Sequence, residues 1–145
     1  MRLWHKDLIP VLPRQQLLGQ WRECCCIARN IAANGTPNHM LVNKIMDYPL
    51  CNFYTYARAI CAEMNKRGYK CSWEKFDSIT RGCQLWYGFL HYHWVDEIFK
   101  DWHNDRYLMQ CWYNLQEKYD CGGISEGEWR LIVNFVRDEY GKFIY

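Results

Sequence analysis

The chain has 145 residues, half of them hydrophobic, with nine cysteines and a formal net charge of +2. That length suits a single domain over 1–145, large enough to bury roughly two thirds of its unfolded surface without a disulfide or metal staple. No run approaches the ~18 apolar residues of a membrane span, MRLWHKDLIPVLP lacks the apolar stretch of a secretory signal, and an odd cysteine count fits reduced thiols, so a membrane-embedded or disulfide-framed protein is excluded and a cytoplasmic one is expected.

Pro13 followed by RQQLLGQWRECCCIARNIAA predicts a first helix with proline in its opening turn, stopped at Asn34-Gly35. At 100° per residue, Leu17, Trp21, Cys24, Cys25, Ala28, Ile31 and Ala32 share one apolar face. Gln16, Glu23 and Asn30 stack as a separate stripe, and Arg22 and Arg29 fall on another flank, so Glu23 is expected to face away from the core centre. The turn formers Gly35-Thr36-Pro37-Asn38 lead through HMLVNKIMDYPL to a second helix over about 50–67, closed by Gly68. Its Phe53, Tyr54, Ala57, Ile60, Cys61 and Met64 make an amphipathic stripe, leaving Arg58, Lys66 and Arg67 for solvent or phosphate. Beyond residue 71 the pattern predicts helices over roughly 84–100, 105–119 and 126–140. The last opens on the capping box Ser125-Glu126-Gly127-Glu128, ahead of the apolar Leu131, Ile132, Phe135 and Val136. No alternating strand pattern, repeat or linker is visible, and the expected fold class is all-α.

Charge is unevenly spread. Residues 1–70 carry ten Lys and Arg against four Asp and Glu, a balance of +6, whereas 71–145 carry eight against twelve, or −4. A local excess of cations suits a surface that faces a polyanion, since phosphate contacts need nearby charge and not a high global pI. Eight Trp and eleven Tyr exceed what one core of this size needs, so some rings are expected at the surface, where they can stack on a partner. Most of Trp86, Trp94, Trp102, Trp112 and Trp129 fit a core by helical spacing.

Metal readings fail on geometry. Cys24, Cys25 and Cys26 diverge by 100° each and lack the C-x-x-C pairing of zinc sites, so Cys24 and Cys25 are read as core. His91, His93, Asp96 and His103 form a sparse cluster without a ligand template. The stretch Glu117–Glu128 places Tyr119 and Cys121 where a calcium loop needs oxygen ligands. Neither a metal nor a cofactor is expected. Arg22-Glu23, taken alone, is compatible with a solvated helical ion pair.

The opening MRLWHKDLIPVLPRQQLLGQWREC carries Arg2, Gln15-Gln16, Trp21 and Arg22-Glu23 in an order that resembles the pyrimidine-dimer DNA glycosylase family of the phage endonuclease V type, and within it a bacterial branch. The likeness continues through Ala33-Asn34-Gly35 and FYTYARAICAEMNKRGYK, fades over 72–138, and returns in Tyr140-Gly141-Lys142-Phe143-Ile144-Tyr145. The resemblance implies a compact helical domain with its N-terminal segment packed at the active site. It further implies an enzyme that extrudes a nucleotide from duplex DNA, attacks the sugar C1′ with its N-terminal amine, and cleaves the abasic site by β-elimination. An α-amine has an ordinary pKa of about 7.7–8.0, far more nucleophilic near neutrality than a lysine.

Carried over residue by residue, the resemblance makes Met1 the nucleophile, its removal being disfavoured by the bulky Arg2, and Glu23 the catalytic carboxylate. Arg2 and Arg22 map to phosphate-binding positions, Gln16 to a histidine position beside the reaction centre, and Arg29, Tyr140, Lys142 and Tyr145 join them as expected DNA contacts. Met1 stands where the phage enzyme exposes a threonine amine, Gln16 cannot titrate as histidine does, and Cys26 replaces a DNA-contacting arginine. The expected partner is double-stranded DNA with a damaged or modified base, no membrane is involved, and the protein is expected to be a monomer. A glycosylase for a different modified base and an inactive DNA-binding module are the alternatives.

Overall fold

The computed structural model describes residues 1–81 and 95–141. They form a 3-10 turn at Lys6–Val11, α1 at Arg14–Asn34, a second 3-10 turn at Asn43–Asp47, α2 at Cys51–Lys66, α3 at Trp73–Thr80, α4 at Asp105–Asp120 and α5 at Glu126–Tyr140. Among the described residues there is no strand, and the all-α expectation holds. No helix among them is long and apolar enough to cross a membrane.

Helix α1 organises the core. Its buried positions Leu17, Gln20, Trp21, Cys24, Cys25, Ile27, Ala28 and Ile31 follow the 3.6-residue period, and it packs on both α2 and α3. Pro13 caps its start, and Gly35 ends it in a left-handed conformation (φ 78°), its N–H donating to the Ile31 carbonyl. Ala32, expected on the apolar face, is exposed near the helix end. The α2 stripe is inward as read, with Phe53, Ala57, Ile60, Cys61 and Met64 buried.

Two cations of α2 are structural. The Arg67 guanidinium donates to the carbonyls of Leu12 (2.7 Å), Pro10 (3.1 Å) and Ile9 (3.3 Å), bolting the end of the first 3-10 turn to the end of α2. Arg58 lies over the Trp73 ring at 4.5 Å. Only Lys66 of the three is left fully to solvent.

The divergent half departs from expectation in three places. Helix α3 was not foreseen: with two turns it offers too short a window for periodicity, yet Phe76 is fully buried, stacked on Trp73 and tilted against Trp21. The helix expected over 84–100 falls mostly outside the described residues, and its described end, 95–100, is bend and turn instead. Phe99 is fully buried in a left-handed conformation (φ 53°), which no α-helix can continue, and its N–H donates to Asn52 Oδ1 at 2.9 Å. In α5 the capping box forms as read, and Ile132 and Val136 are buried, whereas Leu131 lies one residue off that stripe and is exposed. Glu128 does more than cap: its Oε2 also accepts the Arg14 N–H at 2.7 Å, joining the start of α5 to the start of α1.

Candidate active site

Residues 1–5 run extended into the core, with Leu3, Trp4 and His5 all buried. A buried extended segment outside a sheet must find partners for its peptide groups elsewhere, because each unpaired one costs about 1–3 kcal/mol. Here the partners are side chains from three helices.

Gln20 of α1, 1% exposed, is the principal one. Its Oε1 accepts the Trp4 N–H at 2.7 Å, and its Nε2 donates to the Arg2 carbonyl at 2.9 Å, so one amide pairs with two peptide groups as a neighbouring strand would. The Trp4 N–H fixes which end of the amide is oxygen. Tyr56 of α2 donates to the Trp4 carbonyl at 2.6 Å, with Gln20 Oε1 also in reach at 3.0 Å. Tyr107 of α4 donates to the Leu3 carbonyl. Burial pushes both phenols well above their ordinary range, so both remain protonated donors.

One turn along α1 from Gln20, the half-buried Glu23 completes the arrangement. Its Oε2 accepts the Arg2 N–H at 3.2 Å and lies 3.4 Å from Gln20 Nε2. Successive backbone nitrogens are at most about 3.6 Å apart, which holds the Met1 nitrogen within about 7 Å of that oxygen. Among the described residues Glu23 Oε1 takes no hydrogen bond and the carboxylate has no ion pair. The Arg22–Glu23 pair is therefore not a surface salt bridge; a Cβ added at Gly19 would meet Arg22 Nη2 at 3.8 Å, so the guanidinium lies back over Gly19.

Beyond this segment, Lys6 N–H donates to His103 Nδ1 at 3.0 Å, and Asp7 N–H donates to His5 Nδ1 at 3.1 Å. The His5 and His103 rings stack at 5.2 Å. Burial dominates both: it lowers His5 below its ordinary value and His103 to about 2, so both are neutral at physiological pH.

The Arg2 N–H and Glu23 are thus brought together, and among the described residues the Met1 amine forms no ion pair. Arg2 is half-buried, with its guanidinium over the Trp4 ring at 5.3 Å. Gln16 shares the Glu23 stripe two turns away, about 10 Å along the axis, and its buried Oε1 has no hydrogen-bond partner among the described residues. Arg22 and Arg29 are exposed. The Tyr140 side chain, Lys142 and Tyr145 lie outside the described residues, as do Trp86, Trp94, His91 and His93, while Trp102 and Trp112 are buried and Trp129 is partly so. Among the described residues no group of three or more His, Cys, Asp or Glu side chains is disposed to hold a metal ion.

Gln20, Tyr56 and Tyr107 were missed by the sequence reading, and His103 was read only as part of a sparse histidine cluster, not as a backbone acceptor. Gln20 did leave a signal: a polar residue three positions after Leu17 and four before Cys24 falls inside the buried stripe, where it needs a partner. Tyr107 left none, since its acceptor is 104 residues away.

A family model described as pyrimidine dimer DNA glycosylase matches residues 1–77. The matched stretch holds Met1, Arg2, Gln20, Glu23 and Tyr56 and stops short of Tyr107. No curated protein and no solved structure matches the chain.

Proposed function

Because the chain belongs to the pyrimidine dimer DNA glycosylase family, we propose that it excises damaged pyrimidines from duplex DNA as a combined glycosylase and abasic-site lyase, with the Met1 amine as nucleophile and Glu23 as the catalytic carboxylate. The observation that carries this reading is the hydrogen bond from the Arg2 N–H to Glu23 Oε2, which ties the backbone next to the amine to a carboxylate on α1.

In the proposed reaction the neutral amine attacks C1′ as the bond to the base breaks, the base leaving with a proton, and the C1′–O4′ bond of the resulting aminal then opens, its oxygen taking up a proton, to give an iminium. Glu23 accepts the proton that the amine sheds and offsets the positive charge developing at the sugar. Loss of a C2′ proton then expels the 3′ phosphate, and water releases the enzyme from the product. Extruding a nucleotide costs a few kcal/mol, less at a damaged base, which favours lesions over intact sequence.

Arg2, Arg22 and Arg29 are proposed to grip phosphates, a role supported by the exposure of Arg22 and Arg29 and by the cationic balance of residues 1–70. Gln16, whose buried oxygen has no hydrogen-bond partner among the described residues, is proposed to contact the DNA beside the reaction centre. Tyr140, Lys142 and Tyr145 are proposed as a DNA-contacting tail. The protein is further proposed to act as a single-domain monomer in the cytoplasm.

The test is reductive trapping by borohydride on duplex DNA with an abasic site, with base release measured on a panel of lesion duplexes. We expect a covalent adduct with the untagged protein and release of dimers before other lesions. Absence of any adduct would remove the lyase step, and release of another modified base alone would replace the substrate.

A further inference from the structure

The loop between α1 and α2 exposes two adjacent large apolar side chains, Met40 at 85% and Leu41 at 51%, with Met46 at 36% nearby. The loop that carries them is well built. Asn30 Nδ2 donates to the Pro37 carbonyl at 3.0 Å, the His39 N–H donates to Asn43 Oδ1 at 2.9 Å, and the N–H groups of Val42 and Asn43 donate to the His39 carbonyl at 3.0 and 2.8 Å. Val42 and Ile45, on either side of the second 3-10 turn's start, are fully buried anchors. A rigid support under an exposed apolar tip presents that tip at a fixed height.

Its surroundings are polar and cationic. Leu41 lines a cavity of about 230 Å³ with Arg2, Tyr107, Gln110 and Asn114, and so borders the residue whose N–H holds Glu23. Met40 and Leu41 also line an adjoining cavity of about 280 Å³ that includes Lys44, Arg106 and one carboxylate, Asp101. Two side chains offer far less than the ~800 Å² per partner of a stable protein interface. Apolar side chains beside cations suit a partner whose charged backbone flanks an apolar interior, which describes stacked bases between phosphates.

We propose that Met40, shouldered by Leu41, is a wedge that enters the base stack and fills the gap left by the extruded nucleotide, while Arg2, Lys44 and Arg106 hold the flanking phosphates. Insertion of apolar side chains between base steps unstacks and kinks a duplex. This inference rests on the glycosylase reading and adds the device that keeps the duplex open.

The test uses a duplex with a stable tetrahydrofuran abasic site and 2-aminopurine stacked beside it, together with single-turnover excision on a dimer-containing duplex. The wild-type protein raises 2-aminopurine fluorescence on binding. The double variant Met40→Ala/Leu41→Ala, at exposed positions and with its fold checked by Tm, loses most of that rise and excises about tenfold more slowly. Met40→Gln, similar in length but polar, behaves like the alanine variant, and Met40→Leu behaves like wild type. Wild-type fluorescence and rate in the double variant, or in Met40→Gln, overturn the wedge. Excision by the wild-type protein with no fluorescence rise removes the wedge alone; neither excision nor a rise removes both the wedge and the glycosylase reading.

Discussion

Residues 1–77 and 95–141 contribute to the candidate site in different ways. The first region holds the groups proposed to react, the Met1 amine and Glu23, with Gln20 and the Arg2 backbone beside them, and it contains the whole family match. The second lies beyond the match and contributes a few long-range anchors: Tyr107 to the Leu3 carbonyl, His103 to the Lys6 N–H, and Glu128 to the Arg14 N–H. A site of this kind needs little from its supporting half, because single donors and acceptors at the right height suffice to pin an extended segment. That is how a half without a family match can still serve the proposed chemistry.

Perturbing the two regions should give effects of different kind and size. Glu23→Gln is expected to be the most severe, lowering base release by about 10²–10⁴-fold while DNA affinity is largely kept. Gel-shift and single-turnover assays check this, and a wild-type rate would refute the role given to Glu23. Gln20→Ala comes next. It leaves the Trp4 N–H and Arg2 carbonyl buried without partners, at about 1–3 kcal/mol for each. It also frees the segment next to the amine, so kcat should fall up to about 10²-fold with little change in KM; a loss of stability with unchanged kcat would make Gln20 purely structural.

Tyr107→Phe tests the second region's anchor. Losing its hydrogen bond to the Leu3 carbonyl should cost about 1–2 kcal/mol of stability and several-fold in rate, whereas Tyr113→Phe, at an exposed ring on the same helix, should change neither. Equal behaviour of the two variants would dismiss the anchor. The histidine pair predicts acid lability. His103 ionises near 6.5 when unfolded but near 2 when folded, so its contribution is complete above pH 6.5 and is lost as pH falls below it, by about 1.4 kcal/mol per pH unit. His5, lowered in the same direction, steepens the loss. Urea melts at pH 7.5 and 5.0 should show a smaller difference for His103→Gln than for wild type; parallel losses would place the titration elsewhere. Smallest is Arg22→Ala, expected to reduce the salt slope of DNA binding by about one unit. An unchanged slope would move that phosphate contact to another cation.

What was legible in the sequence follows from the range of the interactions involved. Helices α1, α2, α4 and α5 were readable to within a residue or two because each buries a stripe over several turns, and Gly35 and Ser125 mark their ends by local chemistry. The Glu23 stripe was readable for the same reason. Helix α3 was too short to show a period, and the turn at Phe99 depends on Asn52, 47 residues away. The clamp on residues 2–4 was hidden because it is made by side chains of three helices. Arg67 misled in the opposite sense: a cation off the apolar stripe reads as solvent-facing, yet it binds three carbonyls.

The central claim is that the amine beside the Arg2–Glu23 hydrogen bond is the nucleophile. Borohydride trapping of the untagged protein on abasic duplex DNA, followed by proteolysis and mass spectrometry of the DNA-bound peptide, tests it most directly. The account predicts an adduct on the α-nitrogen of the peptide that begins at Met1, abolished when one residue is added ahead of it. An adduct on a lysine, or trapping that survives the extension, would contradict it.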